Sequence, residues 1–373
     1  MKYFGIAFSI FLTLATTAHG ETIESTAMPA LISSVRISGP LDFCGEAVEL
    51  DNQEIRERLE KELLLTLWDR PQVILWIKRI PRYLPIIESM LKKNDLPDDL
   101  KYVAIAESAL RPHAGSSKGA IGFWQFVSQT GRKYGLKIDS EKDERRNIFK
   151  STQAAMRYFT ELHELLGSWT LAAAAYNMGE QGLQSEILAQ RTSNFYQLYL
   201  PLETQRYIFR IISAKLILTH PEKYGFRYNQ QDLYPALVYD QVNLECFQAT
   251  PIYLVAQAAN TYFKVIKDLN PEIRGHHLAA GVHTLLIPAG AADGFQARFK
   301  KLVDAWSASK EERVYIVREG DNLTSIADRF NIPLPALIIW NRLEGKKHIH
   351  PGDRLIIYSP VTETGTEEVD EGE

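Results

Sequence analysis

Glu107 stands where a carboxyl should lose its water. Residues 97–108 predict a helix: Pro97 and the acidic pair Asp98-Asp99 suit its first turn, and Pro112 marks its stop. Leu100, Val103 and Ala104 lie seven, four and three positions before Glu107 and share its face. That face is apolar. Burial there disfavours the charged form and raises a carboxyl pKa. A carboxyl that stays protonated near neutral pH is a general acid. The alternative use of such a residue is a buried structural pair with an arginine; Arg145 and Arg206 are the candidate partners.

Three further groups of polar residues follow in order. Ser108 adjoins Glu107, and Ser116 comes eight positions later. Gly119, Gly122 and Gln125 then surround Phe123 and Trp124, a pattern that predicts close backbone approach and a sharp entry into the next helix. A small-residue helix, Ala172 to Ala175, ends in Tyr176-Asn177-Met178-Gly179, with Gly179 as its stop. Taken singly, Gln125, Tyr176 and Asn177 read equally as a loop amide, a core aromatic and a helix cap.

The elements that position these groups are helical. Residues 51–225 carry helical periodicity between breaks expected at Pro71, Pro81, Pro97, Pro112, Gly122, Gly131, Gly135, Gly167, Gly179 and Pro201. Residues 226–358 change character. Ile252, Val255, Ala256, Asn260, Ile266, Leu269 and Asn270 recur 71 positions on as Leu323, Ile326, Ala327, Asn331, Leu337, Trp340 and Asn341. Strand-like stretches flank both sets, so the pattern predicts a βααβ unit repeated twice. The fold class expected is mainly α, with a helical domain followed by two small βααβ modules.

Composition bounds the function. The chain has 373 residues, 45% hydrophobic and 24% charged, with a net charge of −4. That is a globular protein of two or three domains, and the charge argues against a nucleic-acid partner. Lys2, the apolar run over residues 3–15 and Ala18-His19-Gly20 read as a signal peptide over residues 1–20, with an uncleaved anchor as the alternative. Residues 21–74 read as an irregular leader and a first helix. Residues 359–373 read as an acidic, solvated tail. Cys44 and Cys246 leave a disulfide open. No His or Cys spacing suggests a metal, and no cofactor is expected.

Taken together, these motifs resemble the lytic transglycosylases of glycoside hydrolase family 23, and within them the type-D members with C-terminal LysM modules. Glu107-Ser108 resembles the family's Glu-Ser signature, Ser116 its downstream serine, and Gly119, Gly122 and Gln125 its Gly-x-x-Gly-x-x-Gln block. Ala175-Tyr176-Asn177 matches Ala-Tyr-Asn, and Glu203-Thr204-Gln205-Arg206-Tyr207 matches Glu-Thr-x-x-Tyr. Val127 departs from the methionine common there. Residues 312–358 resemble a LysM module through Gly320, Asp321, Asn322, Leu323, Trp340 and Asn341. The copy at 240–290 lacks the Gly-Asp turn and the Trp-Asn pair, and resembles a degenerate LysM.

The resemblance implies a lysozyme-like catalytic domain over residues 75–225. It implies cleavage of the MurNAc–GlcNAc bond of peptidoglycan to a 1,6-anhydro product, with Glu107 as single acid and base. Ser108, Ser116, Gln125, Tyr176, Asn177 and Glu203 are the implied substrate-binding residues, with Tyr176 and Glu203 also suited to holding Glu107. Gly320, Asp321, Asn322, Leu323 and Asn341 are the implied glycan contacts of the LysM module. The implied protein is an exported, periplasmic, cell-wall-associated monomer, with peripheral attachment to the envelope as a further expectation. The rival readings are a lysozyme-type hydrolase on the same fold and a non-catalytic glycan-binding LysM protein.

Overall fold

The computed structural model describes residues 31–37, 39–309, 312–341, 343 and 348–358. The expected signal peptide and acidic tail lie outside them. The chain opens with α1 (Leu31–Ser34) and a short hairpin of β1 (Asp42–Phe43) and β2 (Glu46–Ala47). There follow α2 (Gln53–Trp68), α3 (Arg70–Lys93), α4 (Lys101–Ser108), α5 (Ser128–Lys133), α6 (Ile148–Leu166), α7 (Trp169–Met178), α8 (Glu180–Gln190) and α9 (Leu202–Thr219). One hydrophobic core joins them, drawing buried side chains from Val35 to Phe226. The hairpin and α2 therefore pack into the same core as residues 75–225. Phe43, Leu59 and Leu63 are fully buried there.

Two expected breaks are absent. Pro81 lies inside α3, with Pro85 one turn on. An interior proline removes a backbone hydrogen bond and costs about 3 kcal/mol. Here Val73, Trp76, Ile77, Leu84, Ile87 and Leu91 are buried on both sides of the prolines. Both prolines keep solvent exposure, so water can reach the carbonyls they leave unpaired. Burial of the apolar face carries the helix through. Gly131 is likewise an interior residue of α5, its missing Cβ leaving room for Ile138 Cδ1, which would lie 2.9 Å away.

The helix that carries Glu107 is shorter than expected. Residues 98–100 form a 3-10 turn, and α4 ends at Ser108. Ala109 and Leu110 both adopt left-handed φ, 53° and 56°, which stops the helix before Pro112.

The C-terminal part contains two βααβ units. The first runs through β3 (Tyr239–Cys246), β4 (Thr250–Pro251), α10 (Ile252–Ala258), α11 (Phe263–Leu269), β5 (His277–Leu278) and β6 (Gly281–Pro288). The helix α12 (Phe295–Ser309) packs Phe295 and Phe299 onto its core. The second unit comprises β7 (Glu312–Ile316), α13 (Leu323–Arg329), α14 (Leu334–Asn341) and β8 (Arg354–Tyr358). In both, the outer strands pair antiparallel, β3 with β6 and β7 with β8. Helices α10 and α13 start 71 positions apart, as do α11 and α14. Cys44 and Cys246 are both free thiols, so the disulfide left open by the sequence is not formed.

Candidate active site

Glu107 lies on the last turn of α4, facing α9. Tyr207, on α9 and almost wholly buried, donates its hydroxyl to Glu107 Oε1 at 2.5 Å. Val103 and Ala104 beneath it are fully buried. Glu107 itself is only partly covered, so its surroundings are dense while one side stays open to solvent. Burial pushes the carboxyl up from 4.5 to about 7. The Tyr207 bond and the charge of Arg210 pull it down by less, and the Glu203 charge pushes it further up. At neutral pH a large share of Glu107 therefore carries a proton.

Neither arginine suspected from the sequence reaches it. Arg145 is buried against Asp143 through two bonds of 2.8 Å, and Arg206 holds Glu62 at 2.6 and 3.1 Å. The nearest cation is Arg210, which pairs with Glu203. Glu203 is an exposed partner of Arg210 and acts on Glu107 through space. Sequence reasoning chose Glu203 from its motif and passed over Tyr207. The spacing contained the signal, since residues 203, 207 and 210 share one face of α9.

The loop between α4 and α5 is built as a rigid wall beside Glu107. Gly122 has φ +86°, and a Cβ there would sit 1.9 Å from the Arg145 carbonyl oxygen. Only glycine fits this approach. The Arg145 guanidinium donates to the carbonyls of Gly119 at 3.0 Å and Phe126 at 3.1 Å. Trp124 is buried and donates its indole N–H to Thr152 at 2.9 Å. Tyr176 donates its hydroxyl to the Trp124 carbonyl at 2.5 Å and stacks on Phe159, with ring centroids 4.7 Å apart. Tyr176 thus braces the loop, and it contributes to the desolvated ground around Glu107.

The remaining predicted residues divide. Ser108 is buried, its hydroxyl 2.7 Å from the Phe123 carbonyl and 3.1 Å from that of Ala104. Expected to bind substrate, it instead ties α4 to the loop. Ser116 is exposed and accepts a hydrogen bond from Ala120 N–H at 3.2 Å. Gln125 adopts left-handed φ, and its Nε2 donates to the carbonyls of Gly122 at 2.8 Å and Ala114 at 3.2 Å. Its amide oxygen is the side-chain atom left for a ligand. Asn177 accepts from the Thr204 hydroxyl at 2.9 Å, which links the end of α7 to the start of α9. Beyond Asn177, Met178 and Gly179 help to line an open cavity of about 560 Å³ with Gln129, Thr130 and Lys133.

In the second βααβ unit the five predicted residues hold the module together. Gly320 supplies φ +84° at the turn. The Asp321 carboxylate accepts from the Tyr315 hydroxyl at 2.6 Å and from Arg318 N–H at 2.7 Å. Asn322 caps α13, and Leu323 packs on the small core. Asn341 donates to the carbonyls of Leu337 and Ile356 and accepts from Ile356 N–H.

Comparison with known proteins fits this division of labour. A family model described as the transglycosylase SLT domain matches residues 85–198, and the LysM domain model matches residues 315–357. Fold and matches together define a modular cell-wall enzyme: a transglycosylase domain followed by a LysM domain. The membrane-bound lytic murein transglycosylase D of Escherichia coli (strain K12) is 31% identical over 368 residues, covering 92% of this chain and 79% of that one. The chain belongs to the lytic murein transglycosylase family. A putative tributyltin chloride resistance protein of Alteromonas sp. (strain M-1) is 34% identical over 110 residues, 29% of this chain and 53% of its own. Among solved structures, the 70 kDa soluble lytic transglycosylase of Escherichia coli aligns with a TM-score of 0.34 and 16% identity, over 48% of this chain and 30% of that one.

Proposed function

We propose that this lytic transglycosylase cleaves the β-1,4 bond between N-acetylmuramic acid and N-acetylglucosamine with Glu107 as its single acid and base. Protonated Glu107 gives its proton to the glycosidic oxygen as the C1–O bond breaks. The C6 hydroxyl of the same muramoyl residue attacks C1, and its proton passes to the Glu107 carboxylate. A 1,6-anhydro ring closes, the acid is regenerated and no water is consumed. A hydrolase needs a second carboxylate to serve as nucleophile or to activate water. The observation that carries the reading is a partly covered carboxyl held at 2.5 Å by the Tyr207 hydroxyl, with its pKa raised to about 7.

Tyr207 is the positioning residue of this acid. Ser116, the amide oxygen of Gln125 and Asn177 contact the sugars flanking the scissile bond. The module at residues 315–357 holds insoluble peptidoglycan, and the enzyme works as an exported, periplasmic monomer at the cell wall. Its partner is the glycan strand. The test is the mass of the muropeptides released from purified sacculi. Anhydro-muramoyl ends, lighter by one water than reducing ends, support the reading; reducing ends replace it with a lysozyme-type hydrolase.

A further inference from the structure

Where the first βααβ unit meets the helical domain, the charges are unbalanced. An open cavity of about 350 Å³ is lined by His113 and Arg146 from the helical domain and by Lys267, Asp268 and Arg274 from the βααβ unit. Arg146 is half-buried, and its guanidinium nitrogen Nη1 lies 2.8 Å from His113 Nδ1. The nearby Asp143 is already held by Arg145. Burial and the charges of Arg274 and Arg145 press on Arg146, while His113 is pushed toward its neutral form by burial and by Arg146. With His113 neutral, three cations face the one carboxylate of Asp268. A half-buried guanidinium crowded by like charge is suited to an anion from outside, because planar donors and a carboxylate pair in a charge-assisted bond.

The seam that forms this cavity is made by backbone bonds. Asp143 N–H donates to the Glu272 carbonyl at 2.8 Å, and Arg274 N–H donates to the Glu141 carbonyl at 2.9 Å. The Asn147 amide bonds the buried Glu272 carboxyl at 3.0 Å. Arg274 and Arg146 are therefore set on fixed backbone. His113 belongs to the loop that starts beside Glu107 and carries Ser116 and Gln125, so the cavity flanks the wall of the active site.

We infer that this cleft binds the carboxylates of the peptidoglycan stem peptide. The inference rests on the proposed glycan-cleaving reading. The sugars of the strand are uncharged, and the peptide hanging from the muramoyl lactyl group carries the anions. The degenerate βααβ unit then serves the reaction by completing a subsite for the peptide.

The test compares three substrates with the full-length protein: strands bearing stem peptides, strands stripped of them by an amidase, and strands whose peptide carboxylates are amidated. Stripping or amidation raises the wild-type KM. Arg274→Glu, at an exposed position, raises KM on peptide-bearing strands ~10-fold with kcat unchanged, and leaves the other two substrates unaffected. Arg146→Gln moves in the same direction, and Arg146→Lys restores part of the loss. Equal losses on stripped strands, no change on peptide-bearing ones, or a wild type indifferent to the peptide would each overturn the inference. Chemical-shift titration with the free stem peptide reads the cleft without any cleavage: shifts at His113 and Arg274 that vanish in Arg274→Glu support it, and their absence in the wild type refutes it. If no substrate yields anhydro ends while the peptide still binds, it is the glycan-cleaving reading that fails.

Discussion

Asn270 and Asn341 occupy the same place in the two βααβ copies and make the same three bonds. Asn270 Nδ2 donates to the carbonyls of Ile266 and Leu286, and its Oδ1 accepts from Leu286 N–H, all at 2.8 Å. Asn341 repeats this with Leu337 and Ile356, at 2.9, 2.8 and 2.6 Å. Around that shared tether the copies diverge. The first presents Glu272 and Arg274 to the helical domain, and Tyr239 meets Phe149 with centroids 5.8 Å apart. Positions 71 further on are Leu343 and Gly345, which offer no such charges. The second copy has Gly320-Asp321 where the first has Ala249-Thr250. It rests on the first through Tyr358, whose hydroxyl lies 2.9 Å from His277 Nε2 with the rings stacked. The bonds that define the fold are retained in both copies, and the residues that choose a neighbour have been free to change. One copy has become part of the enzyme body, and the other keeps the LysM match.

Separating chemistry from holding gives the largest expected effect. Glu107→Gln lowers cleavage by at least ~10²-fold, because the amide accepts the Tyr207 bond but has no proton to give. Sacculus binding through the second copy stays intact. The stability of this variant carries a sign. Glu107 has a folded pKa of about 7 against 4.5 unfolded, so the wild type loses stability as pH rises between those values. The glutamine variant avoids that loss. It should match the wild type at about pH 4 and exceed it above about pH 7, by on the order of 2–3 kcal/mol in denaturant titration. A variant that still cleaves, or one that also loses sacculus binding, breaks the division between the two regions.

Removing the second copy is the reciprocal experiment. A chain ending before Glu311 should bind insoluble peptidoglycan ~10-fold more weakly or worse, since a tethered binding site acts through effective concentration. Its kcat on short soluble glycans should be unchanged. A drop in that kcat, or unchanged sacculus binding, would contradict the modular account.

The paired asparagines sharpen the contrast between the copies. Asn270→Ala and Asn341→Ala each strand two carbonyls and one N–H, at a cost of roughly 1–3 kcal/mol. Asn341→Ala should melt its own module and weaken sacculus binding while cleavage of soluble glycans persists. Asn270→Ala should lower the melting temperature of the helical domain as well, because the first copy is bonded to it through Glu272 and Arg274. Identical consequences for the two variants would mean that the copies are equivalent.

Much of this was legible in the sequence because local chemistry dictates it. The burial of Glu107 follows from Val103 and Ala104 on its own helix. The repeat shows because both copies need the same core and tether positions. What was not legible depends on long-range packing. Tyr207 reaches Glu107 from a hundred residues away, and Arg210 outcompetes Arg145 and Arg206 only because those two are held by Asp143 and Glu62. Ser108 has the family position of a site residue, yet its burial under the Phe123 loop is decided by the glycine at 122. Pro81 looks like a helix break until the buried face of α3 runs past it. Cys44 and Cys246 could not be resolved without coordinates, since pairing depends on a Cα distance.

The central claim is that Glu107 is the acid, kept protonated by burial. Direct titration of its carboxyl by NMR in the free enzyme, set beside the pH dependence of kcat/KM on a soluble glycan, tests this. Activity should be present below about pH 7 and fall as pH rises through the Glu107 pKa. Tyr207→Phe removes a bond that favours the charged form, so it should move both midpoints upward together. A Glu107 that titrates near 7, with an activity limb that follows it in the variant, is the expected result. A Glu107 that titrates at or below 4.5, or a limb that stays in place when Tyr207 is changed, would contradict the account and move the search for the proton donor to Glu203.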